Sequence, residues 1–337
     1  MAERGSCARS PLVHWIYHPG YNFGRGIPFF SEVHGFVLDK PKRIRDELIK
    51  LGTITKSDLH APTIASEADL EAIHTHRLLK GLRSSARLAE AVELSPLAVL
   101  PAALTRHLVV KPQLHACGGT ALALRLASEG QWAFNLGGGF HHARPDLSHG
   151  FCLVNDVAWG VHCLRQRGVH QRILVLDLDL HQGDGNSAAF ADVEDVFTAS
   201  LHQEDTFPEP KLESDIDLGL IGRETGDVEY AAALEQLLHS ISERFTPQIV
   251  VYIAGTDPFE GDSVGAFQLS EDALIARDQR VARFARAQGA SLVATTAGGY
   301  SQRSPVIAAR GYAAMAAIAN STASPPLPKQ RVPSGTC

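Results

Sequence analysis

The sequence lacks the features that mark membrane-spanning, secreted and nucleic-acid-binding proteins. Its 337 residues contain no apolar run near the roughly 20 residues that cross a bilayer, and its first residues lack the apolar core of a signal peptide. The 5 cysteines are odd in number and follow neither a CxxC nor a disulfide-ladder spacing, which favours a reducing compartment. The formal net charge of -6 leaves no basic excess to wrap nucleic acid. We therefore expect a cytoplasmic protein that has no membrane span and does not bind nucleic acid directly.

What is present is an ordinary globular composition, in which short apolar runs alternate with helical patterns. Hydrophobic residues make up 45% of the chain and charged residues 20%. The alternation predicts parallel βαβ units, and hence a single-domain α/β fold with an open parallel β-sheet flanked by helices on both faces. Strands are predicted at 13–17, 132–136, 173–176, 197–201, 249–253 and 292–296, and helices at 42–51, 67–82, 121–128, 155–167, 227–245, 272–288 and 304–319.

The predicted domain covers residues 11–320. Residues 1–10 are expected to form a flexible leader, and residues 321–337 are a proline-rich segment that we expect to be a disordered tail. Within the domain, Ser66 is the expected N-cap of the helix at 67–82.

The stretch at 173–185 has the highest density of chemically reactive side chains. An apolar run is followed at once by Asp177, Asp179, His181 and Asp184. Three carboxylates and an imidazole so close together are costly to bury unless they are used. Asp179 and His181 are two residues apart, so their side chains point the same way at a strand end, and this pair of ligand types suits zinc. The alternative is an acid-rich loop that caps the following helix.

Three other predicted strands also end in polar side chains. Because the carboxyl ends of parallel strands meet at one edge of a sheet, we expect all four clusters to converge on one crevice. The added residues are His141 and His142 after 132–136, Asp257 after 249–253, and Gly298, Gly299 and Tyr300 after 292–296.

These residue types together predict metal-assisted hydrolysis of an amide. A catalytic zinc ion needs three protein ligands and an open position, which Asp179, His181 and Asp257 supply. A histidine held by a carboxylate suits a general base. The candidates are His141 and His142 for the base, Asp177 and Asp184 for the orienting acids, and Tyr300, on a flexible glycine pair, for the oxyanion donor.

Each of these residues also has a simpler interpretation. One of two adjacent histidines is a surface residue if the segment is a strand, because neighbouring side chains then point to opposite faces. In the simpler interpretation, Asp257, which precedes a proline, is an ordinary turn former. Tyr300, which follows two glycines, is likewise a turn residue. The joint pattern is what favours the catalytic interpretation.

The motifs that contain these residues resemble those of the histone deacetylase family, which has the arginase/deacetylase fold. The resemblance is strong from about residue 115 to 315 and weaker from about 12 to 115. Three details resemble the class IV branch, namely Cys117-Gly-Gly-Thr120, His181-Gln182 and Asp257 followed by Glu260-Gly-Asp262, and the Ala/Arg richness indicates a bacterial member. The matching motifs are Gly137-Gly-Gly-Phe-His141-His142-Ala, Gly150-Phe-Cys-Leu-Val-Asn155-Asp, Asp177-Leu-Asp-Leu-His-Gln-Gly-Asp-Gly185, Ala254-Gly-Thr-Asp-Pro-Phe-Glu-Gly-Asp262 and Ala297-Gly-Gly-Tyr300.

The resemblance implies a zinc-dependent lysine deacylase acting on linear amides of a protein or peptide substrate. It implies Asp179, His181 and Asp257 as zinc ligands, the pairs His141–Asp177 and His142–Asp184 with the second histidine as base, and Tyr300 as the carbonyl-polarising tyrosine. It also implies a narrow tunnel for the acyl-lysine chain, lined by Gly150, Phe151, Phe207, Gly298 and Gly299. Finally, it implies a potassium ion held by Asp177, Asp179, His181, Ser200 and Leu201, partly through backbone carbonyls.

Several alternatives remain beside this function. The serious one is a small-molecule amide deacetylase of the same fold, such as an acetylpolyamine deacetylase. An arginase-like centre with two manganese ions needs acids where the chain has Gly183 and Phe259, and a non-enzymatic module is disfavoured because no ligand, base or tyrosine is missing. Residues 94–106 show no clear counterpart of the aspartate loop that grips peptides in class I relatives. The acyl chain, acetyl or longer, and the oligomeric state are not predicted.

Overall fold

The computed structural model describes residues 13–23 and 37–321. The predicted leader at 1–10 and the predicted tail beyond residue 321 lie outside these residues, so their prediction stands as made. Within the described ranges, no helix combines the length and apolarity that a membrane span requires.

Eight parallel strands form one open sheet, which confirms the predicted fold class. The strands are β1 (Val13–Ile16), β2 (Leu59–His60), β3 (Trp132–Asn135), β4 (Ile173–Asp177), β5 (Val196–Gln203), β6 (Ile216–Leu220), β7 (Ile249–Ile253) and β8 (Ser291–Thr295). Their order across the sheet is β2-β1-β3-β8-β7-β4-β5-β6. The four strands that precede the predicted site clusters are therefore the neighbouring group β3-β8-β7-β4.

Helices cover both faces of this sheet, because the buried strands present apolar side chains to either side with a period of two. The helices are α1 (Lys40–Lys50), α2 (His76–Gly81), α3 (Ser85–Ala91), α4 (Ala102–Thr105), α5 (Lys111–Ser128), α6 (Asp156–Gln166), α7 (Asp184–Phe190), α8 (Asp227–Arg244), α9 (Glu271–Ala287) and α10 (Ser304–Asn320). In β4, Ile173 and Val175 pack in one core cluster with α5, α6 and α7, whereas Leu174 and Leu176 pack in another with α1, α8, α9 and α10.

Most predicted helix starts agree with the structure to within two residues, and side-chain caps mark the starts of α6 and α9. The side chain of Asn155 accepts a hydrogen bond from the Ala158 N–H at 2.8 Å at the start of α6. Ser270 does the same for Ala273 at 3.1 Å at the start of α9. Such a cap satisfies an N–H that has no partner inside the helix.

The helix predicted at 67–82 is wrong. The chain there forms a short 3₁₀ turn at Asp69–Ala72 and then the separate helix α2. Thr75 is extended and accepts a hydrogen bond from the Leu78 N–H at 3.3 Å, so the cap is Thr75 and not Ser66. A capping threonine inside the apolar pattern begins a new helix there.

The helix predicted at 121–128 is longer than expected, because α5 begins at Lys111 and contains the glycines Gly118 and Gly119. A Cβ at Gly118 would lie 1.8 Å from the carbonyl oxygen of Thr63, and one at Gly119 would lie 2.1 Å from the hydroxyl of Tyr21. The glycines are therefore sites of close approach rather than helix breakers.

Candidate active site

The structure brings the predicted residues to one edge of the sheet. Asp177 ends β4, and Asp179 and His181 follow it directly. His141 and His142 follow β3, Asp257 follows β7 and Tyr300 follows β8. Since these strands are neighbours and parallel, their carboxyl ends surround a single crevice, the usual place for a ligand in an open α/β sheet.

Asp179, His181 and Asp257 form a compact, buried group of possible metal ligands. One ligand atom from each lies within 4.8 Å of the others. The Nδ1 atom of His181 is 3.2 Å from Oδ1 of Asp179 and 3.2 Å from Oδ2 of Asp257. Two carboxylates this close and this buried repel each other unless a cation lies between them.

The second oxygen of Asp257 supports a cation at this place. Among the described residues, Oδ2 of Asp257 is buried without a hydrogen bond of ordinary geometry. Burial and the neighbouring charge of Asp179 raise the pKa of Asp257 to about 7. A buried carboxylate oxygen that lies 3.2 Å from an imidazole nitrogen and close to a second carboxylate fits a ligand of a divalent ion such as zinc.

Backbone N–H groups hold the other carboxylate oxygens. The Leu180 N–H donates to Oδ1 of Asp257 at 3.2 Å, and the Gly298 N–H donates to Oδ2 of Asp179 at 2.8 Å. A Cβ at Gly298 would lie 2.3 Å from Oδ2 of Asp257. Glycine is required at 298 because the loop after β8 passes directly against both carboxylates.

The two histidines make separate carboxylate pairs, as predicted. The Nδ1 atom of His141 lies 2.8 Å from Oδ2 of Asp177, and that of His142 lies 2.7 Å from Oδ1 of Asp184. Their ring centroids are 4.0 Å apart. Both side chains are buried, so neither is the surface residue of the simpler interpretation.

The two pairs differ in their electrostatics. Burial lowers the pKa of His141, but the charges of Asp177 and Asp179 outweigh it and raise the pKa to about 9. Burial and the neighbouring charge of His141 lower the pKa of His142 to about 3. At neutral pH, His141 in the metal-free protein therefore holds a proton that His142 lacks.

Asp184, the predicted partner of His142, has two further partners that sequence reasoning did not find. Besides His142, its carboxylate accepts a hydrogen bond from Nε of Arg144 and lies 2.9 Å from Nε2 of His149. Burial raises its pKa, but the hydrogen bonds with His142 and His149 hold the pKa of Asp184 well below its ordinary value. No pattern in the sequence indicated Arg144. His149 immediately precedes the predicted tunnel glycine Gly150, and this position was the sequence signal that could have identified His149.

The loop that carries Tyr300 is held from both sides. The Tyr300 N–H donates to Oδ2 of Asp262 at 2.7 Å. On the other side, Nζ of Lys40 donates to the carbonyls of Gly298 at 2.5 Å and Ala297 at 3.0 Å. Lys40 is buried, and burial lowers its pKa to about 8. The predicted flexibility of the glycine pair is therefore restrained by contacts that the sequence did not indicate.

A cavity of about 140 Å³ reaches this site. Gly150, Phe151, Gly298 and Gly299 line it together with His141, His142 and Tyr300. The predicted Phe207 stands beside it instead, with 37% of its surface exposed and its ring 4.9 Å from that of His142.

Of the residues predicted to hold potassium, Asp177, Ser200 and Leu201 lie on the adjacent strands β4 and β5, and Asp179 and His181 lie in the loop after β4. Ser200 on β5 pairs in register with Asp177 on β4, and Leu201 follows it in the buried strand. The hydroxyl of Ser200 is 2.9 Å from Nδ1 of His202. Among the described residues, the Asp179–His181–Asp257 group is the single cluster of three or more acidic, histidine or cysteine ligands.

Arg277 lies behind the candidate ligands and was also missed. Its Nη1 atom donates to the carbonyls of Leu178 at 3.0 Å and Gly255 at 2.7 Å, one from each ligand-bearing loop. Its Nη2 atom is 2.9 Å from Oδ1 of Asp278. Arg277 and Asp278 are three and four residues from Leu274 and Val281, so they share the apolar face of α9 with them. Two charged residues on an apolar helix face were the sequence signal that could have identified a buried ion pair here.

Comparison with known proteins gives a consistent result. Residues 34–316 match the family described as histone deacetylase domain. The chain is 34% identical over 296 residues to histone deacetylase 2 of Arabidopsis thaliana, covering 87% of this chain and 76% of that protein. It is also 34% identical over 288 residues to an uncharacterized protein of Picosynechococcus, covering 85% and 92% of the two chains.

Solved structures resemble this one over nearly its whole length. A histone deacetylase homologue from Aquifex aeolicus has a TM-score of 0.69 and 27% identity, and the match covers 91% of this chain and 83% of that one. The HDA15 HD domain has a TM-score of 0.71 at 19% identity, covering 94% and 90%, which is a likeness of fold.

Proposed function

Since this chain belongs to the histone deacetylase family, we propose that it is a zinc-dependent hydrolase that removes acyl groups from the ε-amino group of lysine in proteins. One observation carries the proposal: the buried Asp179–His181–Asp257 group lies beside two histidine–carboxylate pairs, and the two histidines line one cavity. This is the set of parts that hydrolysis of an amide at a metal centre needs.

Asp179, His181 and Asp257 would hold the zinc ion. Bound zinc supplies a Lewis acid for the amide carbonyl and lowers the pKa of water to about 7. Three ligands from two loops leave room for solvent and substrate. We also propose the potassium ion at Asp177, Asp179, His181, Ser200 and Leu201, supported by the in-register pairing of Asp177 with Ser200.

His142 is the proposed general base. Its lowered pKa keeps it neutral at neutral pH, so it is able to accept a proton. When Nδ1 donates to Asp184, the lone pair is left on Nε2, which therefore takes the proton from the attacking water. In the metal-free protein, the charges of Asp177 and Asp179 outweigh burial and raise the pKa of His141, and a protonated His141 contributes positive charge to the site.

Tyr300 is the proposed donor to the carbonyl oxygen of the substrate. Burial, followed by the charge of Asp257, raises its pKa well above the ordinary value, so the hydroxyl keeps its proton. A donor in a dry site stabilises the negative charge that develops on that oxygen.

The cavity sets the shape of the substrate. Gly150 has a φ of 54° and Phe151 a φ of 65°, and a Cβ at Gly150 would lie 2.6 Å from the His142 ring. This close wall suits a linear side chain such as acyl-lysine. Tyr21, Phe140 and Pro112 add apolar surface to the lining of the same cavity, which is compatible with an acetyl or a longer fatty acyl group.

A small-molecule amide deacetylase, acting for example on acetylpolyamines, is the alternative because it would use the same catalytic residues. The arginase-like alternative is disfavoured, since Gly183 and Phe259 offer no side-chain ligand. For the compartment we propose a reducing cytoplasm, supported by the free cysteines Cys117, Cys152 and Cys163. For the subfamily we propose the class IV branch.

The test is a panel of acyl-lysine peptides of increasing acyl length and of acetylated polyamines, assayed with zinc and with a chelator. We expect zinc-dependent release of acid from the peptides. Hydrolysis of the polyamines alone would establish the alternative, and full activity after removal of all metal would overturn the proposal.

A further inference from the structure

A second cavity opens beside the substrate cavity and carries an excess of cationic side chains. It has a volume of about 760 Å³ and is lined by α2, α3 and the loop 144–149. We call it the basic cleft. Its charged lining consists of Arg77, Lys80, Arg87 and Arg144 against Glu90 and Asp146. In a chain with a net charge of -6, this surplus is a local feature.

Two of these cations are available to a ligand. Arg87 lies 3.4 Å from Glu90, and Arg144 is bound to Asp184. Arg77 and Lys80 are exposed and form no ion pair with any residue in 13–23 or 37–321. Unpaired cations in a concave surface attract an anion, because the surrounding protein concentrates their field.

The basic cleft shares a wall with the substrate cavity. Ser148 and His149 line the cleft, and the next two residues, Gly150 and Phe151, line the substrate cavity. The ring of His149 lies 5.1 Å from that of Phe207. An extended peptide advances roughly 3.3–3.6 Å per residue. Substrate residues a few positions from the bound acyl-lysine are therefore within reach of the basic cleft on the other side of this wall.

The helix α2, which carries Arg77 and Lys80, is held against the loop 144–149 by hydrogen bonds at its start. The Thr75 N–H, at the start of α2, donates to the carbonyl of Pro145 at 2.8 Å. Nδ1 of His74 lies 3.1 Å from the carbonyl of Arg144. The helix that carries Arg77 and Lys80 is thus tied to the loop that forms the other side of the cleft.

We propose that the basic cleft binds carboxylates of acidic residues that flank the acyl-lysine, so that acidic segments are the preferred protein substrates. This inference rests on the proposed lysine deacylase function. A lysine-rich segment or a polyamine brings like charge to Arg77 and Lys80 and is disfavoured by the same field.

The test compares acyl-lysine peptides of equal length that carry Glu, Gln or Lys at the flanking positions. We expect kcat/KM to fall in that order, with a Glu-to-Gln ratio of about threefold or more for two exposed ion pairs and a smaller ratio in high salt. The double variant Arg77→Gln/Lys80→Gln should lose the preference. The matched control Lys50→Gln/Lys56→Gln, exposed and outside both cavities, should keep it.

An acyl-lysine amide without flanking residues distinguishes a failure of the proposed deacylase function from a failure of the basic cleft to bind acidic residues. All variants should hydrolyse it equally. If the zinc-loaded protein does not hydrolyse this amide at all, the proposed function fails. In that case the basic cleft is tested by itself, by measuring the affinity of labelled Glu- and Lys-flanked peptides with fluorescence anisotropy. Equal affinity for these two peptides, equal rates in the wild type, or an unchanged preference in the double variant would overturn the inference.

Discussion

Single residues at this site owe their chemistry to buried neighbours. His141 and His142 are adjacent in sequence, yet carboxylates raise the pKa of the first to about 9 while burial and the charge on the first lower that of the second to about 3. Neighbouring titratable groups whose pKa values are pushed apart are suited to different tasks in proton transfer.

The change Tyr300→Phe removes one hydroxyl donor. We expect turnover to fall by roughly 10²–10³, as for the loss of one oxyanion donor, while zinc content stays the same. Steady-state kinetics with metal analysis measure both. An unchanged kcat would exclude Tyr300 from the reaction.

The change His141→Gln should alter the pH dependence of stability in metal-free protein. The folded pKa of His141, about 9, lies above the ordinary 6.5, so folding takes up a proton between these values. The stabilisation, about 3 kcal/mol by linkage, is fully present below pH 6.5 and is lost as the pH rises through 9. Melting curves from pH 6 to 10 in chelator should show the advantage of wild type over the variant shrinking across this window. A constant difference would contradict the assignment.

Whole elements are positioned by close contacts that their own periodicity does not contain. Helix α5 carries Gly118 against the Thr63 carbonyl, and helix α9 turns two charges, Arg277 and Asp278, toward the sheet. In both cases the partner lies far away in sequence, so the helical pattern predicts the helix but not what it contacts.

The change Gly118→Ala should destabilise the protein although alanine is the better helix former by about 1 kcal/mol. The added Cβ would lie 1.8 Å from a backbone oxygen that cannot rotate away. Urea unfolding measures the effect. Gly81→Ala in α2 is the matched control, because nothing lies within 4 Å of its Cβ and no loss is expected. Equal free energies of unfolding for the two variants would show that α5 moves to accommodate the added Cβ, and would contradict the prediction.

The change Arg277→Lys keeps the positive charge but removes the planar guanidinium, which bridges the carbonyls of Leu178 and Gly255. We expect zinc affinity to fall about 10- to 100-fold, the usual cost of losing support behind a metal ligand. Competition with a chromogenic chelator measures it. Arg280→Lys, exposed on the same helix, is the control and should bind zinc as the wild type does.

At the scale of the whole molecule, the site joins four strands that are distant in sequence. Residues 141, 181, 257 and 300 meet because β3, β8, β7 and β4 are neighbours in the sheet. An ion bound between two of these loops acts as a cross-link in the folded state that the unfolded chain does not share.

Removal of zinc should therefore lower the melting temperature of the whole domain. At a free zinc concentration about 1,000 times Kd, the linkage is worth about 4 kcal/mol, a shift of several degrees for a chain of this size. Calorimetry with and without chelator measures it. His181→Ala should abolish the shift, and a shift that persists in this variant would place the ion elsewhere.

The fold class and most strands and helices from β3 onward could be predicted from the sequence, because apolar periodicity is a local signal. The side-chain caps Asn155 and Ser270, which the structure shows at the starts of α6 and α9, were not part of that prediction. The motifs at the strand ends were also enough to predict which residues would gather at one edge. The prediction failed at 67–82, where Thr75 begins a new helix.

The surroundings of those residues depend on contacts between segments that are far apart along the chain. Lys40, Arg144 and Arg277 contact the site from α1, the loop after β3 and α9, and none of them belongs to a motif that the strand pattern indicates. The pKa difference between His141 and His142 likewise depends on burial and on charges from other strands. Electrostatics and close packing act through space, so adjacency along the chain does not specify them.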